Sequence, residues 1–138
     1  MAVEDILAQP DVRERVVRYN EQTALFREQT GRCTTIHQNL AVIDLRHEAE
    51  IFTGNRFLIY GLFPECNISM HILWGREKQN VVFTVGHSIM NRTCGTDVGK
   101  LMLEYGGGGH ERVGTCQVAT GRGEKVKNQL IERITTER

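Results

Sequence analysis

The residues that most clearly suggest a chemical role are a run of four glycines followed by a histidine, Gly106-Gly107-Gly108-Gly109-His110. Each glycine loses more conformational entropy on folding than alanine does, so four in a row need a reason. A helix cap at Gly106 and a bulge before the next strand account for about two of them. For the others we expect close approach of a ligand, because backbone without Cβ lets N–H groups converge on a phosphate.

The run follows a predicted helix, whose C-terminal end carries partial negative charge and disfavours an anion, so cationic side chains must supply the attraction. Arg92 lies just beyond a predicted strand, where side chains commonly point into a crevice, and its guanidinium can hold a phosphate at two points. The alternative is a solvated loop arginine. Ser88, Asn91 and Thr93 either donate further hydrogen bonds or form turns and caps. His110 can donate to a base or a phosphate.

Metal-dependent and thiol chemistry have little support in the sequence. No two aspartates are closely spaced, and neither H-E-x-x-H nor a carboxylate cluster occurs, so we predict no metal site in this chain. Four cysteines occur without a C-x-x-C pair, which predicts free thiols, mostly packed in the interior. A Cys116 nucleophile with His110 as its base is an alternative, but an apolar strand around Cys116 disfavours the reactive thiolate.

The composition bounds the class of protein. With 138 residues, 40% hydrophobic and 25% charged, the chain has the composition of one ordinary domain rather than a disordered or collagen-like protein. Seventeen basic and seventeen acidic side chains give zero net charge, so no long-range field attracts nucleic acid or a membrane. The longest apolar stretch, Phe57 to Phe63, is far too short to span a bilayer, and Met1 to Ala8 lacks a signal-peptide pattern. We therefore expect a cytoplasmic protein.

Hydrophobic periodicity predicts the elements that position these residues. The predicted order is a helix from about Asp11 to Gln29, strands at Thr35 to Arg46, Phe57 to Phe63, Ile68 to Trp74 and Val81 to Ile89, a helix at Asp97 to Tyr105, a strand at Val113 to Ala119, and a helix through Val126 and Ile134. The third and fourth strands should form a hairpin. This order predicts an α/β (α+β) fold, a single domain with a mixed sheet of about five strands flanked by helices.

The glycine–histidine run, taken with Ser88-x-x-Asn91-Arg92-Thr93 and a helix beginning at Asp97-Val98, resembles the DHH-associated C-terminal domain of DHH-superfamily phosphoesterases. A small-residue strand, Val113 to Gln117, follows in the expected order. Asn55-Arg56-Phe57 and Ile68 to Trp74 are similar to the subgroup labelled exopolyphosphatase-related. The resemblance covers most of Asn39 to Gln117. It divides the chain into an N-terminal linker helix, residues 1–33, and a DHH-associated substrate-binding domain, residues 34–138.

The resemblance implies a domain that grips a phosphorylated substrate, such as a short oligonucleotide, a cyclic dinucleotide or polyphosphate, beside a catalytic DHH lobe. That lobe holds manganese or magnesium through residues that include Asp-His-His, a sequence that does not occur in this chain. We therefore expect the metal in a separate lobe, and this chain alone to be inactive as a hydrolase. The residues implied to bind substrate are Ser88, Asn91, Arg92, Thr93, Gly106, Gly107, Gly108, Gly109 and His110. Many relatives have Arg-Ser after the strand and Ala-Ala-Gly after the histidine. This chain differs at both places, so the arginine's register is open by a residue and Arg112 is a second candidate cation.

Two other functions stay open at this point. A free-standing nucleotide- or RNA-binding module is one, since a glycine-rich domain of similar type occurs at the C-terminal end of alanyl-tRNA synthetases. Zero net charge counts mildly against RNA, which usually needs clustered Lys and Arg. The other is a lobe that only forms a homodimer, in which Arg92 and His110 would be unimportant to any ligand.

Overall fold

The computed structural model describes residues 10–52, 54–55, 58–89 and 91–136. Its elements, in chain order, are α1 (Pro10–Cys33), β1 (Thr34–His37), β2 (Leu40–Asp44), α2 (Leu58–Leu62), β3 (Ile68–Trp74), β4 (Asn80–His87), α3 (Val98–Glu104), β5 (Gly108–Gly109), β6 (Val113–Ala119) and α4 (Gly123–Thr136), with short 3₁₀ turns at Arg76–Lys78 and Thr120–Arg122. The six strands form one sheet in the order β1-β2-β3-β4-β6-β5. Only β2 and β3 pair in parallel among these neighbours. The predicted mixed sheet flanked by helices is confirmed, with one strand more than expected.

The predicted single strand from Thr35 to Arg46 is wrong, because the chain reverses within it. It forms the antiparallel hairpin of β1 and β2, in which His37 pairs with Leu40. The turn places Gln38 in the left-handed region, with φ of 56°. Since a polar residue tolerates this conformation without a glycine or proline signal, the sequence did not mark the turn.

The predicted buried strand from Phe57 to Phe63 is also wrong over its described part. Leu58–Leu62 forms the short helix α2, which buries Ile59 and Tyr60. A short continuous apolar run fits a buried helix turn as well as a buried strand, so periodicity alone cannot separate them. Helix α2 lies in the connection between the parallel strands β2 and β3.

Two apolar clusters lie on opposite faces of the sheet. The larger contains Leu40 and Val42 of β2 and is covered by α3 and α4. The smaller contains Ala41 and Ile43 of β2 and is covered by α2. Because β2 contributes alternate residues to both clusters, its apolar side chains on both parities are buried, as the sequence predicted.

The predicted helices and strands from Ile68 onward are confirmed, and the two-residue strand β5 is the element there that the sequence did not predict. Strands β3 and β4 form the expected antiparallel hairpin. Helix α3 begins after Asp97, whose carboxylate accepts the backbone N–H of Lys100 at 3.1 Å. Helix α4 packs Val126, Leu130 and Ile134 into the larger cluster.

Part of the α2 side of the sheet is exposed along β6 and half-buried along β4, whereas Ser69 on β3 is buried. We call it the open face, and it is formed by two rows of cross-strand partners on β3, β4 and β6. The rows are Ser69, Gly86 and Val113, and His71, Thr84 and Thr115. Alternate residues along β6 are exposed on this side. Such a face is available to a ligand or to a further protein segment.

Helix α1 contacts the rest of the domain through its C-terminal part. Gln29 is buried, donates through Nε2 to the carbonyl of Glu50 at 2.6 Å, and accepts the N–H of Phe52 at 3.0 Å. Nearer the N-terminus, Tyr19 is 71% exposed. The predicted helix is thus confirmed, with an extra turn at its C-terminal end. Within the described ranges, no helix is long and apolar enough to cross a membrane.

Candidate functional site

The predicted binding residues gather at one end of the sheet, where β4 ends and β6 begins. The N–H of His87 donates to the carbonyl of Arg112 at 2.8 Å, and the N–H of Val98 donates to that of Glu111 at 2.9 Å. These two bonds join the loop after β4, residues 88–97, to the turn before β6. The structure therefore brings the Ser88 to Thr93 segment next to the His110 to Arg112 segment.

A chain of hydrogen bonds fixes the loop after β4. Ser88 is buried, and its Oγ accepts the N–H of Asn91 at 3.0 Å. The Thr93 hydroxyl donates to Asn91 Oδ1 at 2.6 Å and accepts from Asn67 Nδ2 at 3.0 Å. These side chains therefore shape the loop, which was the alternative role that the sequence left open for them. Their part in binding a ligand stays a prediction.

Asn67, which the sequence did not single out, anchors this loop to the sheet. Its carbonyl accepts the N–H of Ser88 at 2.8 Å, and its N–H donates to the carbonyl of Asn39 at 3.1 Å. Its Oδ1 accepts from Asn39 Nδ2 at 2.9 Å. One side chain and its backbone thus join the ends of three strands. Nothing in the sequence marks this role, because an asparagine before a strand is an ordinary turn residue.

Arg92 lies exposed on the loop that this network holds. Its Nε donates to the carbonyl of Ile89 at 3.2 Å, which ties the guanidinium group back to its own loop. Among the described residues, no carboxylate forms an ion pair with Arg92. Its charge is therefore available to an anion. Arg112, the second candidate cation, is also exposed at the same end of the sheet.

The first two glycines of the run complete the end of α3. Gly106 has φ of 84°, and its N–H donates to the carbonyl of Leu103 at 3.1 Å. The N–H of Gly107 donates to the carbonyl of Met102 at 2.9 Å. This pair of bonds is a Schellman cap, which needs a left-handed residue at Gly106. Both N–H groups already have partners, so a phosphate would have to use other donors.

The next glycines let the chain pass close to β6. A Cβ on Gly107 would lie 2.0 Å from the carbonyl oxygen of Thr115, and one on Gly109 would lie 2.4 Å from the Cα of Gly114. Gly109 also has φ of 149°. Only Gly108 among the four combines open space around its missing Cβ with an ordinary φ. The fold therefore explains three of the four glycines, and close approach of a ligand at Gly108 stays a prediction.

His110 is exposed where this edge turns back toward β6. Its N–H donates to the carbonyl of Val113 at 2.7 Å, which closes the turn. The imidazole borders a shallow depression that is also lined by Asp97, Lys100 and Glu111. The depression carries both signs of charge, so it is not a purely cationic anion site.

A pocket of about 230 Å³ opens on the open face beside the loop after β4. Its lining includes Tyr60 from α2, His71 from β3, Thr84 and Gly86 from β4, and Arg112 just before β6. The Tyr60 hydroxyl donates to the carbonyl of Gly86 at 2.7 Å. Ser88 and Arg112 were candidates from the sequence. The other lining residues could be recognised only from the pairing of the strands.

The described residues support neither Cys116 as a reactive thiol nor a metal cluster. Burial raises the pKa of Cys116 to about 11, so its thiol is protonated near neutral pH and is a poor nucleophile. The cysteines are free, and Cys66 and Cys116 are buried, which agrees with the predicted packed thiols. In the described ranges no three His, Cys, Asp or Glu side chains are placed to hold a metal ion. These residues therefore do not fit manganese or magnesium, and the binding chemistry argued below involves neither.

Comparisons with known proteins identify the class of domain. No protein-family model matches the chain, and no curated protein does. Among solved structures, it is similar to PggH, a pGpG-specific phosphodiesterase from Vibrio cholerae, with 48% sequence identity and a TM-score of 0.94 over 100% of this chain. The resemblance to the DHH-associated domain of phosphoesterases is thereby confirmed. An exopolyphosphatase-related protein from Bacteroides fragilis has the same fold, with 17% identity and a TM-score of 0.62 over 96% of this chain and 39% of that one.

The match with the phosphodiesterase covers the whole of this chain but only part of the enzyme. This chain spans 47% of the length of that enzyme. The comparison therefore establishes a phosphoesterase-associated domain, whereas the activity and substrate of the whole enzyme come to this chain only as proposals.

Proposed function

We propose that this chain is the substrate-binding part of a phosphoesterase, and that it holds a short linear oligonucleotide by its phosphates. The observation that carries the proposal is the pair of joined loops at one end of the sheet, which present the exposed Arg92, His110 and Arg112. In a chain of zero net charge, these groups form a local site for an anion. The 48% identity to a phosphodiesterase specific for pGpG supports a dinucleotide as the ligand.

Arg92 is the main phosphate ligand in this proposal. Its loop is fixed by hydrogen bonds among Ser88, Asn91 and Thr93, so binding costs little further ordering of the backbone. An arginine–phosphate pair commonly forms two parallel, charge-assisted hydrogen bonds. The loop therefore acts as a preformed support for one strong contact.

Hydrolysis belongs to a separate catalytic lobe in this proposal. The Asp-His-His sequence of such lobes does not occur in this chain, and manganese or magnesium is expected in that lobe. The chain alone should bind the dinucleotide without hydrolysing it, and a cytoplasmic location remains the expectation for the parent protein.

Calorimetric titration of the 138-residue chain with pGpG tests the proposal. Replacing Arg92 by Ala should weaken binding by about 10- to 150-fold, because a charge-assisted hydrogen bond contributes about 1.5 to 3 kcal/mol. Arg76→Ala is the matched control, since Arg76 is an exposed arginine in the 3₁₀ turn between β3 and β4, away from the site. Equal affinities for the wild type and Arg92→Ala would contradict the role of Arg92.

The two rival functions give different results in the same experiment. An RNA-binding module loses affinity steeply as salt rises, whereas a site for one or two phosphates has a shallow salt dependence. A lobe that only forms a homodimer shows a concentration-dependent mass and no response to the dinucleotide.

A further inference from the structure

We propose that the pocket on the open face holds the ring of a nucleobase whose own phosphate is bound by the Arg92 loop. The inference rests on the proposed function, because it takes the ligand to be a nucleotide. The proposal adds that this chain recognises the uncharged base as well as the phosphate. The residues that recognise the base lie outside the glycine–histidine run.

The chemistry of the lining fits a planar ring with polar edges. Tyr60, Ile89 and Val113 provide apolar surface, while His71 and Thr84 present polar groups on the sheet beneath. A phosphate alone gains nothing from apolar walls, whereas a heteroaromatic ring gains from both kinds of surface. The apolar part of the lining therefore favours the base over the charged part of a nucleotide.

Gly86 is the residue that most clearly indicates that a ligand occupies the pocket. It lies within β4, paired with Ser69 on one side and Val113 on the other. A Cβ there would meet only the Cγ2 of Val113, at an ordinary 3.5 Å. Glycine within a strand weakens it and often marks a place where a ligand comes close. The fold does not require this glycine, and what the missing side chain leaves is room in the pocket.

Tyr60 makes the pocket preformed. It is 4% exposed, and its hydroxyl is within 2.9 Å of Ser69 Oγ as well as bonded to the carbonyl of Gly86. These contacts hold the tyrosine against the sheet before any ligand binds. A wall that is already ordered lowers the entropy cost of binding a ring.

The pocket is continuous with the proposed phosphate site. Ser88 and Ile89 line it and also begin the loop that carries Arg92. Arg112 lines it as well. A ring seated in the pocket therefore has Arg112 beside it and the Arg92 loop next to it, where the phosphate of the same nucleotide would lie.

The test compares two ligands that share a phosphate and differ in the base, guanosine 5′-monophosphate and ribose 5-phosphate. The wild-type chain should bind the mononucleotide at least about tenfold more tightly, because a stacked base contributes about 1 to 3 kcal/mol. Gly86→Val fills the pocket with a residue that strands favour. It should lower the affinity for the mononucleotide to that for ribose 5-phosphate and leave the latter unchanged. Ala119→Val, on the far end of the same face of β6, is the matched control and should change neither.

The possible results separate the two proposals. If the wild type binds both ligands equally, the base pocket is wrong and the phosphate site stands; if it binds neither, both proposals fail. Should Gly86→Val not fold, nuclear Overhauser contacts between guanine H8 and the methyl groups of Ile89 and Val113 in the wild type decide the question. Their presence supports the pocket, and their absence in a bound complex overturns it.

Discussion

Asn67→Ala is expected to loosen the attachment of the Arg92 loop to the sheet. The substitution removes a hydrogen bond at 2.9 Å to Asn39 and one at 3.0 Å to Thr93, at a residue that is only 8% exposed. Each such bond contributes about 0.5 to 1.5 kcal/mol net, and a buried amide left without a partner adds to the cost. Because Thr93 is exposed and can bond to water instead, we expect a total loss of about 1.5 to 3 kcal/mol in the free energy of unfolding.

The same substitution should alter the loop more than the sheet. Urea unfolding should show a lower midpoint with an unchanged slope, since the folded chain buries the same surface. The N–H of Asn91, which donates to Ser88 Oγ, should exchange with solvent faster, because the loop opens without unfolding the strands. Binding of a mononucleotide should weaken by roughly 3- to 10-fold, since Arg92 must then be ordered when the ligand binds.

Asn80→Ala provides the matched control for this prediction. Asn80 is a half-buried asparagine at the start of β4, at the opposite end of that strand, and its amide makes one long bond of 3.3 Å to Gln117. Its loss should cost less than about 1 kcal/mol and leave the exchange of Asn91 unchanged. If Asn67→Ala is no more destabilising than Asn80→Ala, or if Asn91 exchanges at its wild-type rate, the anchoring role of Asn67 is refuted.

Three further predictions concern stability. Arg46→Met removes a guanidinium whose side chain is 7% exposed and which bonds the Asp44 carboxylate at 2.9 and 2.6 Å; urea unfolding should show a loss of about 2 to 4 kcal/mol. Arg133→Met, which breaks an exposed ion pair, should cost less than about 1 kcal/mol, and equal losses would contradict the argument. Burial raises the pKa of Asp44, but hydrogen bonds from Arg46 outweigh it and lower that pKa to about 2. Its stabilisation, about 1 to 2 kcal/mol after solvent screening, is therefore complete above about pH 4 and lost as the pH falls toward 2, which urea midpoints at a series of pH values measure. Gly107→Ala places a Cβ 2.0 Å from a β6 carbonyl and should cost about 1 to 3 kcal/mol in thermal unfolding, whereas Gly108→Ala, which meets no atom within 4 Å, should cost less than about 0.5 kcal/mol; similar losses would contradict the packing argument.

The sequence predicted those elements whose two faces differ. Ile68 to Trp74 alternates because β3 lies with one parity in the larger core, and α3 shows its period because one face packs on the sheet. The predictions failed at Thr35 to Arg46 and at Phe57 to Phe63, where apolar side chains occur on every face. In such runs the period carries no information, and the turn or helix is decided by contacts with distant parts of the chain.

In the candidate site, too, residues in a local sequence pattern were predicted, whereas residues whose roles depend on distant partners were not. Arg92 and His110 were predicted because each stands in a local pattern, after a strand or after a glycine run. Asn67, Tyr60 and Gly86 were missed because their roles depend on partners 26 to 28 positions away. Asn67 bonds to Asn39 and Thr93, and Tyr60 bonds to Gly86. A single sequence contains no spacing signal for such pairs.

The glycine run illustrates why a conspicuous motif is a poor guide to which residues meet a ligand. A Schellman cap and close contact with β6 account for Gly106, Gly107 and Gly109 without any ligand, so most of the motif serves the fold. Gly86 stands alone within β4 and attracts no notice in the sequence, yet a Cβ there would meet only an ordinary contact. A glycine that the fold does not need lowers the stability of the strand, and a ligand bound in the space left by the missing side chain can offset that loss. By this reasoning Gly86 is a stronger indicator of a bound group than three of the four glycines in the run.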